Sequence, residues 1–239
     1  MAKHTPYYEL RDALNTSGCA ICRLAHKAVA RYLDSLVYEN ANDYRVRAEA
    51  KAARGFCNLH AWQIRDLHGA ALDVAILSND VLTEWEHALE DFTPQAGPSL
   101  LSRVRALLGL PGGQKDVTAL ITTLTPQRTC LACSVHEATE HAYIHELLTH
   151  ITDPELKAAF VTAGGLCLPH FRQTLRYVAT TAQAEAVIEL QRQAMAPMLT
   201  ELREFIRKHD YRFEIERTAS EGESWLKALA LVSGERKAR

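Results

Sequence analysis

Apolar and polar residues follow a helical period over most of the chain. Ala, Leu, Glu and Arg dominate long stretches, and only 8 prolines and 11 glycines interrupt them, which favours helices. Capping signals divide these stretches. Thr16 and Ser17 are suitable residues to begin a helix, and Gly55 and Gly164 are suitable residues to end one. The pattern predicts helices over residues 19–38, 43–55, 61–92, 100–108, 117–124, 154–164 and 171–209, with breaks allowed in the two longest.

The C-terminal region has no counterpart in the first half of the chain. Residues 211–216 alternate between apolar and polar side chains, which predicts a short extended segment. Residues 220–223 form a capping box that opens a final helix. Trp225, Leu229 and Val232 form the apolar stripe of that helix, so we expect it to pack against the rest of the protein.

Composition and charge are those of an ordinary globular protein. The chain has 239 residues, of which 47% are hydrophobic and 23% charged, and its formal net charge is −2. The mixed charges give no support to a nucleic-acid partner. No apolar run approaches the roughly 20 residues needed to span a bilayer, and no apolar segment follows the N-terminus as in a signal peptide. We therefore expect a cytoplasmic protein without a membrane partner.

A cysteine and histidine pattern occurs twice. In each copy a Cys-x2-Cys pair is followed at a distance by a Cys-x2-His pair, and the gap between the two pairs agrees between the copies to within a single position. All six cysteines of the chain belong to the pattern, which indicates duplication of a unit of about 95–110 residues. The first copy consists of Cys19, Cys22, Cys57 and His60, and the second of Cys130, Cys133, Cys167 and His170.

Each copy offers three thiolates and one imidazole. This donor set suits tetrahedral Zn²⁺ and leaves no open coordination position, as in structural zinc sites. The glycine before each third cysteine, Gly55 or Gly165, allows the reversal that returns the chain to the Cys-x2-Cys pair. The sequence therefore predicts two zinc ions per chain, one in each repeat, and no catalytic residue.

Three other interpretations of the cysteines remain open at this point. An iron–sulfur cluster is also bound by cysteine thiolates. Redox-active dithiols need a low thiolate pKa, which a helix N-terminus can provide. The cysteines can also be buried without metal. His26 and His136 compete as ligands, because each follows a Cys-x2-Cys pair by about one helical turn.

Other clusters give weaker signals. His141 and His145 lie one turn apart, but no His-Glu-x2-His pattern accompanies them. Arg47, Lys51 and Arg54 share a helix face, which we interpret as solvated rather than phosphate-binding. No nucleotide-binding or hydrolase motif occurs.

Three features of the sequence resemble an uncharacterised bacterial family of unknown function. They are residues 55–62 (GFCNLHAW), the two Cys-x2-Cys pairs, and the ending KHDYRF at 208–213 followed by Ser224 and Trp225. The resemblance spans nearly the whole chain. It implies a mainly helical bacterial protein with paired Cys/His sites, and it carries no established activity.

Together these observations predict an all-α fold. We expect two pseudo-symmetric helical repeats, residues 1–96 and 97–239, each organised around a Cys3His metal site, with a C-terminal tail helix. Residues 93–99 and 110–116 are the predicted loops.

The leading functional hypothesis is a zinc-stabilised scaffold or regulatory interaction protein that binds a protein partner and has no catalytic activity. One alternative is a thiol redox or metal sensor that releases zinc on oxidation. The other is an iron–sulfur electron-transfer protein or enzyme component.

Overall fold

The fold is all-α in the computed structural model, which describes residues 3–40, 43–92, 114–216 and 222–236. Within these ranges the chain forms eleven α-helices and no strand. The helices are α1 (Thr5–Leu14), α2 (Ala20–Ser35), α3 (Tyr44–Ala52), α4 (Asn58–Arg65), α5 (Ala71–Glu90), α6 (Gln114–Leu124), α7 (Leu131–Thr149), α8 (Pro154–Ala163), α9 (Leu168–Arg176), α10 (Thr181–Arg207) and α11 (Ser224–Ser233).

The chain divides into two compact units, and the first of them combines two segments that are separated in the sequence. The first unit consists of residues 1–30 and 135–238, and the second of residues 31–134. The predicted division between residues 96 and 97 falls outside the described ranges and stays a prediction, as does the pseudo-symmetry of the repeats.

In the first unit, helices from both ends of the sequence share one core. Helix α1 packs against α8, and α8 against α10. Tyr7, Ile144, Phe160 and Val187 are almost completely buried among them. At the edge of this core, Asp153 caps α8 by accepting from the Leu156 N–H group, at 3.0 Å.

In the second unit, α5 packs against α3, α4 and α6. Arg47 on α3 donates two hydrogen bonds of 2.6 Å to Asp80 on α5. Lys51 and Arg54 both pair with Glu84, at 2.9 and 2.5 Å. The basic side chains of this face are thus paired with acidic residues of the same unit and remain partly exposed to solvent.

Helices α2, α3 and α8 begin within one residue of their predicted starts, whereas α1 lies outside the predicted helices and α6 begins at Gln114, inside the predicted loop at 110–116. Pro154 is the first residue of α8, and the left-handed Gly164 ends it. The two long helical stretches are each broken in two, into α4 and α5 and into α9 and α10. The extended segment predicted at Tyr211–Glu216 is wrong, because these residues form a 3-10 helix in which Phe213 N–H donates to the Asp210 carbonyl.

The tail helix α11 also differs from expectation. It packs against α9 and α10, but Trp225, Leu229 and Val232 are 50–59% exposed. The stripe predicted to be its buried face is therefore largely on the surface. The predicted loop at 93–99, the helix at 100–108 and most of the capping box at 220–223 lie outside the described residues. Within the described ranges, every helix is too short or too polar to span a membrane.

Candidate metal centre

The eight predicted ligands lie in two clusters of four. Site 1 consists of Cys19, Cys22, Cys167 and His170, and site 2 of Cys57, His60, Cys130 and Cys133. Within each site, one donor atom per residue lies within 4.8 Å of every other. The ligands of site 1 belong to the first unit and those of site 2 to the second.

Helix N-termini position the donors. Cys57 and Cys167 are the N-cap residues of α4 and α9, and the histidine of each Cys-x2-His pair lies in the first helical turn. Cys19 and Cys130 directly precede α2 and α7, so the second cysteine of each pair lies in a first turn as well. Each site thus joins two helix N-termini, whose partial positive charge favours thiolates.

In site 1 the imidazole faces all three sulfurs. His170 Nδ1 lies 3.4 Å from Cys19 Sγ, 3.3 Å from Cys22 Sγ and 3.1 Å from Cys167 Sγ. The sulfurs of Cys22 and Cys167 are 3.7 Å apart. All four residues are buried, so the site is closed to solvent.

Site 2 has the same arrangement with more exposure. His60 Nδ1 lies 3.2 Å from Cys57 Sγ, 3.6 Å from Cys130 Sγ and 3.4 Å from Cys133 Sγ. The sulfurs of Cys57 and Cys133 are 3.6 Å apart. His60 and Cys130 are buried, whereas Cys57 and Cys133 are partly exposed.

The grouping of the ligands differs from the prediction that each repeat contains its own site. Each site combines the Cys-x2-Cys pair of one repeat with the Cys-x2-His pair of the other. Backbone contacts explain this exchange. Gly18 N–H donates to the Ala163 carbonyl at 2.8 Å, and Gln127 N–H donates to the Ala52 carbonyl at 2.8 Å. The segment before each Cys-x2-Cys pair is therefore held beside the helix end that precedes the Cys-x2-His pair of the opposite repeat.

The turns before the Cys-x2-His pairs have matching backbone geometry. Gly55 and Gly165 have φ values of +90° and +83°, a conformation that favours glycine. A Cβ atom at Gly165 would lie 2.7 Å from Gln191 Oε1. The Gln191 side chain accepts from Leu166 N–H and donates to the Leu166 carbonyl, both at 2.9 Å. The predicted reversal is thus present and, in site 1, is fixed by a buried amide.

A carboxylate orients the imidazole of site 1. Glu140 Oε1 lies 2.7 Å from His170 Nε2, and the same oxygen lies 3.3 Å from His136 Nδ1. Gln173 Nε2 donates to the other Glu140 oxygen at 3.3 Å. A carboxylate on one ring nitrogen directs the other nitrogen toward the sulfurs, as in the carboxylate–histidine–metal arrangement of protein metal sites.

The end of the chain covers site 1. After α11, Glu235 N–H donates to Cys22 Sγ at 3.4 Å, and a Cβ atom on Gly234 would lie 3.5 Å from the same sulfur. Glu235 Oε1 pairs with Arg23 at 3.0 Å, and Arg23 also donates to the Ser17 carbonyl at 2.8 Å. We call Gly234 and Glu235 the strap, because they tie the tail to α2, the helix that contains Cys22 and Arg23.

The donors of each site shift one another's pKa values. Burial disfavours a charged His170, but the thiols of Cys167 and Cys19 outweigh burial and raise the pKa of His170 to about 12. Burial and the Cys57 thiol raise the pKa of Cys133 to about 12. Hydrogen bonds from the Cys167 and Cys22 thiols hold the pKa of Cys19 well below its usual range. Ionisation of one thiol therefore disfavours ionisation of its neighbours unless a positive charge lies beside them.

The other histidines suggested by the sequence lie outside both clusters. His26 and His136 form a ring contact with centroids 5.9 Å apart, and neither is among the clustered ligands. His141 Nε2 lies 2.6 Å from the hydroxyl of Tyr177. His150 pairs with Glu146 at 3.2 Å.

Glu140, Gln191 and the strap are parts of site 1 that sequence reasoning missed. The spacing of Glu140 from His136, one helical turn, is a signal that the sequence does contain. Nothing in the local sequence around Gln191 or Glu235 indicates contact with a cysteine motif that lies far away along the chain, because these contacts depend on the tertiary fold.

Comparison with known proteins gives a family without an assigned activity. The chain is 25% identical over 218 residues to an uncharacterised 23.9 kDa protein in the xynA 3′ region of Caldicellulosiruptor sp. (strain Rt8B.4), and the match covers 90% of this chain and 95% of that protein. No solved structure matches the chain. The model of a family of unknown function, DUF6062, matches residues 1–238, and the chain belongs to that family.

Proposed function

We propose that the protein is a helical scaffold stabilised by two structural zinc ions, one in each site. The observation that carries this proposal is the convergence of three sulfurs and one imidazole nitrogen on a common centre in both sites. Cysteine and histidine in this ratio form the donor set of structural zinc sites.

The donor separations support a single tetrahedral ion. Zinc bonds of about 2.3 Å to sulfur and about 2.0 Å to nitrogen place neighbouring sulfurs about 3.8 Å apart, and sulfur and nitrogen about 3.5 Å apart. The sulfurs of Cys22 and Cys167 are 3.7 Å apart in site 1, and those of Cys57 and Cys133 are 3.6 Å apart in site 2. The sulfur–nitrogen distances lie between 3.1 and 3.6 Å. The pocket at each centre is therefore the size of one ion.

The same compactness argues against an iron–sulfur cluster. In such a cluster the protein ligands are distributed over two or more irons, and the bridging sulfides and irons separate the ligands of one iron from those of another. Donor atoms that all lie within 4.8 Å of one another leave too little room for this arrangement.

The ligands' positions in the chain explain what the ions would stabilise. The paired donors of site 1 are 145–151 residues apart, and His60 and Cys130 in site 2 are 70 apart. An ion at each site would join helix N-termini that are remote in sequence. Binding of the ion would therefore be coupled to folding, as it is in small zinc domains.

Four protein ligands leave no open position for an activated water, so this donor set supports architecture rather than catalysis. The surface of the helices is then the place for function. Large apolar side chains are exposed there, among them Trp85 on α5 and Trp225 on α11, which are 49% and 50% exposed. Exposed aromatic side chains of this kind are frequent at protein interfaces, which supports a protein partner.

Metal analysis of untagged protein tests the proposal. Protein expressed without added zinc and purified without chelators should contain two zinc ions per chain and no visible absorption. Substitution His26→Ala serves as the control and should leave the zinc content at two. Iron with visible absorption, or protein that folds with no bound metal, would overturn the proposal.

A further inference from the structure

The two sites have similar distances between donor atoms, but their cysteines differ in exposure to solvent. Each site contains a pair of sulfurs in close contact: Cys22 and Cys167 in site 1, at 3.7 Å, and Cys57 and Cys133 in site 2, at 3.6 Å. Cys22 is 4% exposed and Cys167 is completely buried, whereas Cys57 and Cys133 are both partly exposed. A small reagent can therefore approach two adjacent sulfurs in site 2.

The strap adds a second difference. In site 1 the backbone of Gly234 and Glu235 lies against Cys22, and the Glu235 N–H group donates to its sulfur at 3.4 Å. The strap's atoms block approach to the Cys22 sulfur from that side. The ion pair of Glu235 with Arg23, at 3.0 Å, holds the strap in place.

From these differences we infer that site 2 is a modification site for peroxides, in which Cys57 and Cys133 become a disulfide while site 1 remains intact. The inference rests on the proposed function only in that both sites hold zinc before oxidation. It assigns to site 2 a regulatory role that site 1 does not share.

The chemistry requires one peroxide for each disulfide. One of the two exposed thiolates attacks hydrogen peroxide, which forms a sulfenic acid and releases hydroxide. The second thiolate attacks the sulfenic sulfur, which forms the S–S bond and expels another hydroxide. The two sulfurs lose two electrons in total, and the peroxide gains them; both hydroxides become water on protonation.

The disulfide requires only local movement. The sulfurs of Cys57 and Cys133 must approach from 3.6 Å to about 2.05 Å, and both residues lie at helix N-termini. Once formed, the disulfide removes two of the four donors, so that Cys130 and His60 alone remain. Two donors do not complete a structural zinc site, and the ion leaves.

Peroxide titration of the zinc-loaded full chain tests the inference. Released zinc is measured with a chromogenic chelator, and the protein is then digested with trypsin. We expect loss of one of the two zinc equivalents in the first phase. We also expect a disulfide between the peptides covering residues 55–65 and 129–157, with fragmentation locating it at Cys133. The peptides covering residues 12–23 and 158–172 should contain unmodified cysteines.

Two matched variants separate the sites. Cys57→Ser should retain only the ion of site 1 and lose no zinc under the same treatment. Cys22→Ser should retain only the ion of site 2 and lose it completely. Equal release from both variants, or a disulfide between Cys22 and Cys167, would overturn the inference.

The experiment that would refute the proposed function differs from the one that would refute this inference. The zinc content before peroxide treatment tests that function by itself. If the chain contained no zinc, disulfide mapping of the metal-free protein would still decide the inference, because preferential linkage of Cys57 to Cys133 supports it and preferential linkage within site 1 refutes it.

Discussion

Pairs of cysteine substitutions can distinguish the exchanged grouping of the ligands from grouping within each repeat. Cys22→Ser with Cys57→Ser removes one donor from each site, because Cys22 belongs to site 1 and Cys57 to site 2. Cys57→Ser with Cys133→Ser removes two of the four donors of site 2 and leaves site 1 complete. We expect the first double variant to bind no zinc and the second to bind one ion. If each repeat contained its own site, the first double variant would bind one ion and the second would bind none.

The loss of stability should follow the number of sites removed. A ligand present at 1,000 times its Kd stabilises the folded state by about 4 kcal/mol. For a chain of this length, that corresponds to a decrease in Tm of about 8–16 °C for each lost ion. The pair Cys22→Ser and Cys57→Ser should therefore lower Tm about twice as much as the pair Cys57→Ser and Cys133→Ser, although both variants lack two cysteines.

The assay combines elemental analysis with thermal unfolding followed by circular dichroism, at a fixed free zinc concentration. Single substitutions Cys22→Ser and Cys57→Ser provide the reference values of one ion each. If the pair Cys57→Ser and Cys133→Ser contained no zinc while the pair Cys22→Ser and Cys57→Ser retained one ion, the grouping described for sites 1 and 2 would be wrong.

Three further predictions concern residues of the first unit. Glu140→Gln should weaken zinc binding at site 1 by about 10–100-fold in a chelator competition and leave site 2 unchanged; equal weakening of both sites would contradict its orienting role. The pKa of Asp153 is lowered from 3.8 to about 2, mainly by a backbone N–H group in the first turn of α8. Because the pKa of Asp153 is lower in the folded chain than in the unfolded chain, its ionised carboxylate stabilises the folded state at pH values above about 4. Asp153→Asn should therefore lower Tm at neutral pH, and the difference should disappear as the pH falls from about 4 to 2. Gly165→Ala should reduce the free energy of unfolding more than Gly164→Ala, measured by denaturant titration. Both need a positive φ, which costs about 1 kcal/mol, but only the first places a Cβ atom 2.7 Å from Gln191; equal losses would refute the contact argument.

Local patterns in the sequence predict much of the fold and the eight residues that cluster in sites 1 and 2. The capping position of Asp153 and the helix end at Gly164 depend on interactions within a few residues, so they can be inferred from the sequence alone. The donors are also recognisable locally, because each pair lies within one helical turn. The 3-10 helix at Tyr211–Glu216 shows the limit of this reasoning: alternation over six residues did not determine the backbone.

The grouping of the donors could not be predicted, because it depends on contacts between distant segments. Nearly identical spacing in the two repeats makes both groupings equally compatible with the sequence. The hydrogen bond from Gly18 to the carbonyl of Ala163, which belongs to the opposite repeat, is among the contacts that distinguish them. Similarly, the exposure of Trp225 on α11 depends on which face packs against α10, and the apolar stripe alone does not specify this.

The ligands of the two sites are nested along the sequence. Both ligand pairs of site 2 lie between the two pairs of site 1, so a chain emerging from the ribosome completes site 2 first. Closure of site 2 joins residues that are 76 apart, which removes about half of the 145 residues between Cys22 and Cys167. Halving a loop lowers its closure cost by about 0.6 kcal/mol. Early zinc capture by the inner site would thus make the outer site easier to form, and the strap, whose Glu235 lies 213 residues beyond Cys22, would be added last.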